Sequence, residues 1–347
     1  MDSRHLHELS TVLLCRLGFH SLVIHTEPHA VACVCGILTG CVVNVGAHTC
    51  TVTCLEDGAA LTSQQAVLPM GVDDIASALH LLVRRGGGAW PDAEVPAHAL
   101  AALVASQCHA PSAAVPMRQD STASDAATVV PVIAGNDGTT AVSRVRLGTA
   151  GAVAPLGLFM HTILCHRAAL EARAKQSTLP ADPQDTLDEV FWAESVGAVS
   201  TAPPQQNARI SWLSADVGLH EAVDRCILAA SASRPELRAR LAAYMVVAGG
   251  GAELSGLPEA LQSKLSSLWQ AQQADQMAPE VMPDVHVIRA RPHPRWAAWR
   301  GGALLAALDT SRDAWSRREA WRDGVLTAKA GRYDASVTPM SRLATYV

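Results

Sequence analysis

Apolar residues recur at spacings of three and four from Asp2 to Leu17 (Leu6, Leu9, Val12, Leu13, Leu17), which predicts one face of a helix that Gly18 ends. Ser21 to His25 reads as a short buried strand. From Glu27 to Cys35 an Ala, Val and Cys run has Pro28 near its first turn and Gly36 just beyond it, the frame of a second helix. Between Cys41 and Leu68 apolar and polar positions alternate around a glycine turn, then cross Glu56-Asp57-Gly58, which predicts strands joined by a hairpin. A helix follows from about Val72 to Arg85, with Ile75, Leu79, Leu82 and Val83 on one face. Its start, Asp73-Asp74, suits the positive end of the helix dipole.

Two stretches, at about 109–127 and 172–208, lack periodicity and read as loops or insertions. Between them lie the strand-like pieces VVPVI and AVSRVRL and the apolar string APLGLFMHTIL. The last third is regular. Leu219 to Ala230 predicts a helix, LAAYMVVAGGGAEL a buried strand running into a glycine loop, Leu257 to Trp269 a helix and DVHVIRA a strand. Two helices close the pattern, Ala297 to Leu308 and Arg312 to Trp321, with Asp309 or Thr310 placed to cap the second.

Composition changes the picture in one respect. With 49% hydrophobic and 17% charged residues over 347 positions the chain can fill two or three compact lobes, but three Phe and three Tyr leave the cores to small aliphatic side chains. The eight Trp are the exception. Nine Cys, with no CxxC pair, read as reduced thiols used as small hydrophobes. Cys33, Cys35, His25, His29 and His48 are metal-ligating types, yet they lack the paired ligands at short fixed spacing that structural zinc shows, so no metal is expected. No basic start with an apolar core opens the chain, and no apolar run reaches the roughly 18 residues of a membrane span, so a soluble protein of the cytosol or nucleus is expected. The net charge of −5 predicts no partner, although from Arg289 onward Arg and Lys outnumber carboxylates.

Two glycine turns suit close approach of backbone N–H groups to an anion: Asn44-Val45-Gly46-Ala47-His48, and Ala248-Gly249-Gly250-Gly251-Ala252. Each alone would also serve as an ordinary tight turn. Their order, followed by RPHPRWAAWRGGALLAALDTSRDAWSRREAW, resembles the actin family. The string Trp299-Arg300-Gly301-Gly302-Ala303, then Ala306 to Thr310, Trp315, Glu319, Trp321 and Gly324-Val325, is similar to the actin-related protein 8 branch more than to conventional actin. Arg16 to Phe19, Cys54 to Gly58, Val145 to Gly148 and Ala154 to Phe159 point the same way.

The resemblance implies an α/β chain with the actin-like ATPase fold of ribonuclease H-like duplicated domains, N-terminally truncated and with polar insertions. Residues 1–36 would be the rest of a first domain, 37–296 the second domain with its insertions, and 297–347 helices returning to the first. The first phosphate hairpin would lie outside the sequence. The nucleotide cleft would be formed by Asn44, Gly46, Ala47, Gly249, Gly250, Gly251 and Arg295, in degenerate form. Asn44 and Ala47 stand where the family usually carries two carboxylates that organise magnesium and water, so no catalysis and at most weak ATP binding are expected.

As partners the resemblance implies the helix of a remodeller motor subunit, actin and actin-related protein 4 in a nuclear chromatin-remodelling complex of the INO-eighty type, with DNA or nucleosome as a further contact. Leu17, Phe19, Trp315 and Trp321 are the candidate anchors for the helix, and Arg312, Arg317 and Arg318 the candidate DNA contacts. Trp296, Trp299, Trp315 and Trp321, at helical spacing, are nonetheless expected to pack in a core or between helices more than to form a binding surface, and the Arg residues read most simply as a solvated face. The alternative is an ATP-binding or hydrolysing member of the wider actin, sugar-kinase and heat-shock superfamily.

Overall fold

The computed structural model describes residues 3–61, 65–85, 95, 97–111, 128–134, 139–160, 163, 211–212, 217–274, 284–308 and 315–322. Helix α1 (Ser3–Thr11) continues as a π-helical turn, Val12–Arg16, and the chain then reverses at Gly18, whose φ is +76°. After strand β1 (Ser21–Leu22), helix α2 (Glu27–Cys35) begins with Pro28 in its first turn and ends on Gly36 in the left-handed conformation. Strands β2 (Gly40–Val45), β3 (Cys50–Glu56), β4 (Ala59–Ala60) and β5 (Ala66–Leu68) follow. Between β3 and β4 both Asp57 and Gly58 take positive φ, +50° and +85°, the two-residue turn whose twist matches a hairpin.

Helix α3 (Val72–Arg85) has the bounds its periodicity predicts, and α4 (Ala97–Gln107) lies beyond it. Strands β6 (Thr128–Ala134) and β7 (Thr139–Val145) pair as a separate antiparallel ribbon, and α5 (Ala150–Val153) runs into a 3-10 turn, Ala154–Leu158. The last part holds β8 (Ser211–Trp212), α6 (Leu219–Ser231), α7 (Pro235–Ala243), β9 (Met245–Ala248), α8 (Leu257–Ala274), β10 (Val287–Arg289), α9 (Ala297–Ala307) and β11 (Ser316–Arg317).

Several expectations change. The strand read over Ser21 to His25 shortens to Ser21–Leu22 and is half-buried, because it pairs only with the two residues of β11. Leu241 and Ala242, read as the start of a strand, belong to α7, which opens on Pro235 and leaves β9 to begin at Met245. Arg312 to Trp321 is not one helix: Ser316 and Arg317 pair antiparallel with Leu22 and Ser21, and helical conformation begins only at 318. Cross-strand hydrogen bonds to β1 outweigh a helical periodicity of one turn. Helix α4 went unread because Ala and Leu fill seven of its eleven positions and blur the polar face on which a period depends.

The central sheet is mixed and seven-stranded, in the order β10-β9-β2-β3-β5-β8 with β4 on β3. Strands β2, β9 and β10 run parallel, while β3 is antiparallel to β2 and β5. Both faces are covered, which is why β2 and β9 read as near-continuous apolar runs. Cys41, Val43, Val45, Met245 and Val247 face the larger core with α3, α6, α7 and α8. Val42, Val246 and Ala248 face the opposite way, into a smaller core closed by α2 and α9. Burial pushes the thiols of Cys50 and Cys108 up to about 12, so both behave as apolar side chains.

Candidate functional site

The turn after β2 is shaped by its own backbone. Gly46 donates its N–H to Thr49 O at 2.9 Å, and the carbonyls of Gly46 and Ala47 accept the N–H groups of Val72 and Asp73 at 3.0 and 2.9 Å. The turn therefore caps the start of α3 with carbonyl oxygen, satisfying donors that a helix end leaves free for an anion. Gly71 permits this approach, because a Cβ there would lie 2.6 Å from Gly46 O. The Asp74 carboxylate accepts the Gly71 N–H at 2.8 Å and completes the cap.

On the other side, β9 delivers Gly249 at a φ of +87° against β2, where a Cβ would collide with Asn44 Oδ1 and the Val45 carbonyl. Gly251 presses equally on Val45 and Val72. The glycine loop is thus held by close packing on the hairpin turn. Asn44 Oδ1 is buried behind it without a hydrogen-bond partner among the described residues.

A cavity of about 210 Å³ opens between these turns. Ala47, Gly250, Gly251 and Arg295 border it, as the sequence leads one to expect, whereas Asn44, Gly46 and Gly249 sit behind its wall. Arg295 leans over Gly250 and pairs with Glu253 at 3.3 Å. Asp73, at the rim, lies 3.3 Å from the His48 ring. Neither carboxylate was singled out from sequence as a cleft residue, and Asp73 was visible only as a helix-start acid. The remaining wall is apolar: Val72 and Ile75 from α3, Ala101, Val104 and Ala105 from α4, and Leu254.

These residues do not match what a magnesium nucleoside triphosphate requires. The turn presents carbonyls to α3, Arg295 is engaged by Glu253, and the α4 wall brings no charged side chain. His25 and His29 stack with ring centroids 5.1 Å apart on another part of the molecule, and no three His, Cys, Asp or Glu side chains converge as metal ligands among the described residues.

The candidate anchors divide. Leu17 and Phe19 are 65% and 56% exposed. Trp315 is half-buried, and Trp321 is 1% exposed against Leu14, with its Nε1–H 3.3 Å from Thr11 Oγ1. Trp321 is therefore core, fixed by the pairing of β11 with β1. Of the candidate DNA contacts, Arg317 is exposed, Arg318 donates to Gly18 O at 2.9 Å, and Arg312 lies outside the described residues.

An apolar surface appears elsewhere. Helix α9 buries Ala297, Gly301 and Leu305 on α2 and exposes Trp299 at 73% and Leu304 at 43%, with Ala303, Ala306 and Ala307 also open to solvent. Trp296, just before it, is 56% exposed. Trp296 and Trp299, expected to pack, are thus on the surface, because the close contact at Gly301 fixes which face of α9 turns inward.

Comparison with known proteins agrees with this architecture. The sequence model of the Actin family matches residues 184–325. Actin-related protein 9 of Arabidopsis thaliana is 29% identical over 342 residues, 92% of this chain and 52% of that protein. Actin-related protein 8 of Danio rerio is 23% identical over 386 residues, 92% of this chain and 59% of that protein. The actin-related protein 9 match has the higher identity of the two, although the motifs pointed to actin-related protein 8. Human actin-related protein 8, solved in its ATP-bound state, superposes with a TM-score of 0.64 at 21% identity over 95% of this chain and 57% of that one, which shows the actin-like fold. The chain spans a little over half the length of these relatives.

Proposed function

Since this chain carries an actin-family domain on an actin-like fold, we propose that it is a non-catalytic scaffold subunit of a nuclear chromatin-remodelling complex of the INO-eighty type. It docks an amphipathic helix of the motor subunit and stands beside actin and actin-related protein 4, with DNA phosphates as a further contact for the exposed Arg317. The exposed apolar face of α9 carries this reading. Apart from the exposed Arg300, the outer half of α9 is apolar, and Trp299, Ala303, Leu304, Ala306 and Ala307 have no cover there among the described residues. Trp299 and Leu304 on that face are large anchors of the kind a helix-in-groove contact uses. The non-catalytic part of the reading is supported by Ala47 and by the neutral Asn44, neither of which supplies a charged oxygen for magnesium or water.

The test is binding of the purified motor-subunit helix to the wild-type chain and to Trp299→Asp and Leu304→Asp variants. Both side chains are exposed enough for the fold to survive, which thermal melting verifies. Loss of a true anchor should weaken capture by about 30-fold, about 2 kcal/mol. Unchanged affinity in both folded variants would move the docking surface off α9.

A further inference from the structure

We infer that the cleft between the β2–β3 turn and the glycine loop recognises an uncharged, apolar group of bicyclic size and excludes nucleoside polyphosphates. The wall decides this. Helix α4 faces the cavity with Ala101, Val104 and Ala105, and no Lys, Arg, Asp or Glu occurs in its eleven residues. Among the described residues Val72, Ile75 and Leu254 add further apolar wall, the tip of the turn contributes the methyl of Ala47, and Gly250 and Gly251 contribute backbone, which leaves Asp73 and Arg295 as the charged side chains on the lining.

Phosphate oxygens are acceptors and carry charge, so a polyphosphate needs donors and cations aimed at it. The polar groups present are set the other way. The Gly46 and Ala47 carbonyls point their lone pairs at the α3 N–H groups, Arg295 is shared with Glu253, and Asp73 places a carboxylate at the rim. A triphosphate there would face a like charge and leave its own oxygens desolvated against alkyl side chains. An apolar guest meets neither cost. A dry cavity of about 150 Å³ lined by aliphatic side chains suffices for benzene; the cavity here, about 210 Å³, has room for a two-ring molecule.

This inference does not rest on the docking reading, since α9 contributes no residue to the cavity lining. Indole is the probe, compared with magnesium ATP and with AMP, by ligand-observed NMR and thermal shift on the full chain. Indole should bind, and the two nucleotides should not. Ala105→Leu, which fills the cavity from a half-buried position, should weaken indole at least 10-fold, and Ala101→Asp should do the same by charging the wall. Binding of magnesium ATP at or above the affinity of indole would overturn the inference. So would failure of indole to bind, or indole binding unaltered in both folded variants.

Discussion

Two neighbouring glycines in α9 have opposite structural duties. A Cβ on Gly301 would strike the backbone of Ala30 in α2, 3.0 Å from its Cα and nearer still to its carbonyl, whereas a Cβ on Gly302 would meet nothing within 4 Å. Only the first is needed for α9 to lie against α2. Gly301→Ala should therefore separate the helices and cost about 1–3 kcal/mol or more, as overpacking of a tight contact does. Gly302→Ala should leave packing alone and stabilise by about 0.5–1 kcal/mol through helix propensity. Urea unfolding of the two variants checks this, and similar shifts in midpoint would mean the α2–α9 contact is not made. The Gly-Gly pair was legible as a family resemblance, but the division of labour was not, because it depends on which side of the helix Ala30 occupies. Trp299 was misjudged for the same reason: spacing places it on a helix face without saying whether that face is covered.

Among the elements, those with a clear period and clear ends were read from the sequence. Helix α3 has an apolar stripe and two acids at its start, and α2 has Pro28 and Gly36 as its terminal signals. Helix α4 and strand β11 were missed because one lacks a polar face and the other is two residues long, defined only by its distant partner. The cleft was half legible: its glycines stand in sequence motifs, whereas its apolar wall comes from α4. Helix α6 carries a pH-sensitive consequence. His220 packs edge-on to Phe159 at 5.9 Å, and its Nδ1 is buried without a hydrogen-bond partner among the described residues. Burial lowers its pKa below the ordinary 6.5, with Lys264 pushing the same way and Glu221 and Asp224 opposing. The folded state thus holds it neutral while the unfolded chain binds a proton, so this contribution to stability is full above about 6.5 and is lost as pH falls toward the lowered value. His25 and His80 are lowered too, by burial first and then by His29 and Arg84, and add in the same sense. The melting temperature of the wild type should drop on acidification through this window, and the drop should be smaller for His220→Gln. Parallel curves for the two proteins would take His220 out of the account.

At the scale of the whole molecule, residues 300 positions apart are joined away from the main sheet. Leu22 and Ser21 of β1 pair with Ser316 and Arg317 of β11. The Arg318 N–H donates to His20 O at 2.9 Å, and its guanidinium reaches Gly18 O. At the centre Trp321 and Leu14 are buried together, with Leu22 and Ile24 against them and the His7 ring 5.2 Å from the indole. This core is small and has its own strand pair, apart from the seven-stranded sheet, and shares no residue with the large core. Units with few buried apolar contacts open at lower free energy than the global fold, so the two should come apart separately. Trp321→Ala removes the largest side chain from the small core, a truncation that costs about 3–5 kcal/mol where burial is complete. Such a loss exceeds what one two-residue strand pair and the hydrogen bonds of Arg318 can offset. Hydrogen exchange followed by mass spectrometry should therefore show the amides of 12–22 and 315–322 losing protection in this variant, with those of β2, β3 and β9 exchanging as in the wild type. Faster exchange across β2 and β9 as well would show instead that the Trp321 core and the sheet unfold as one cooperative unit.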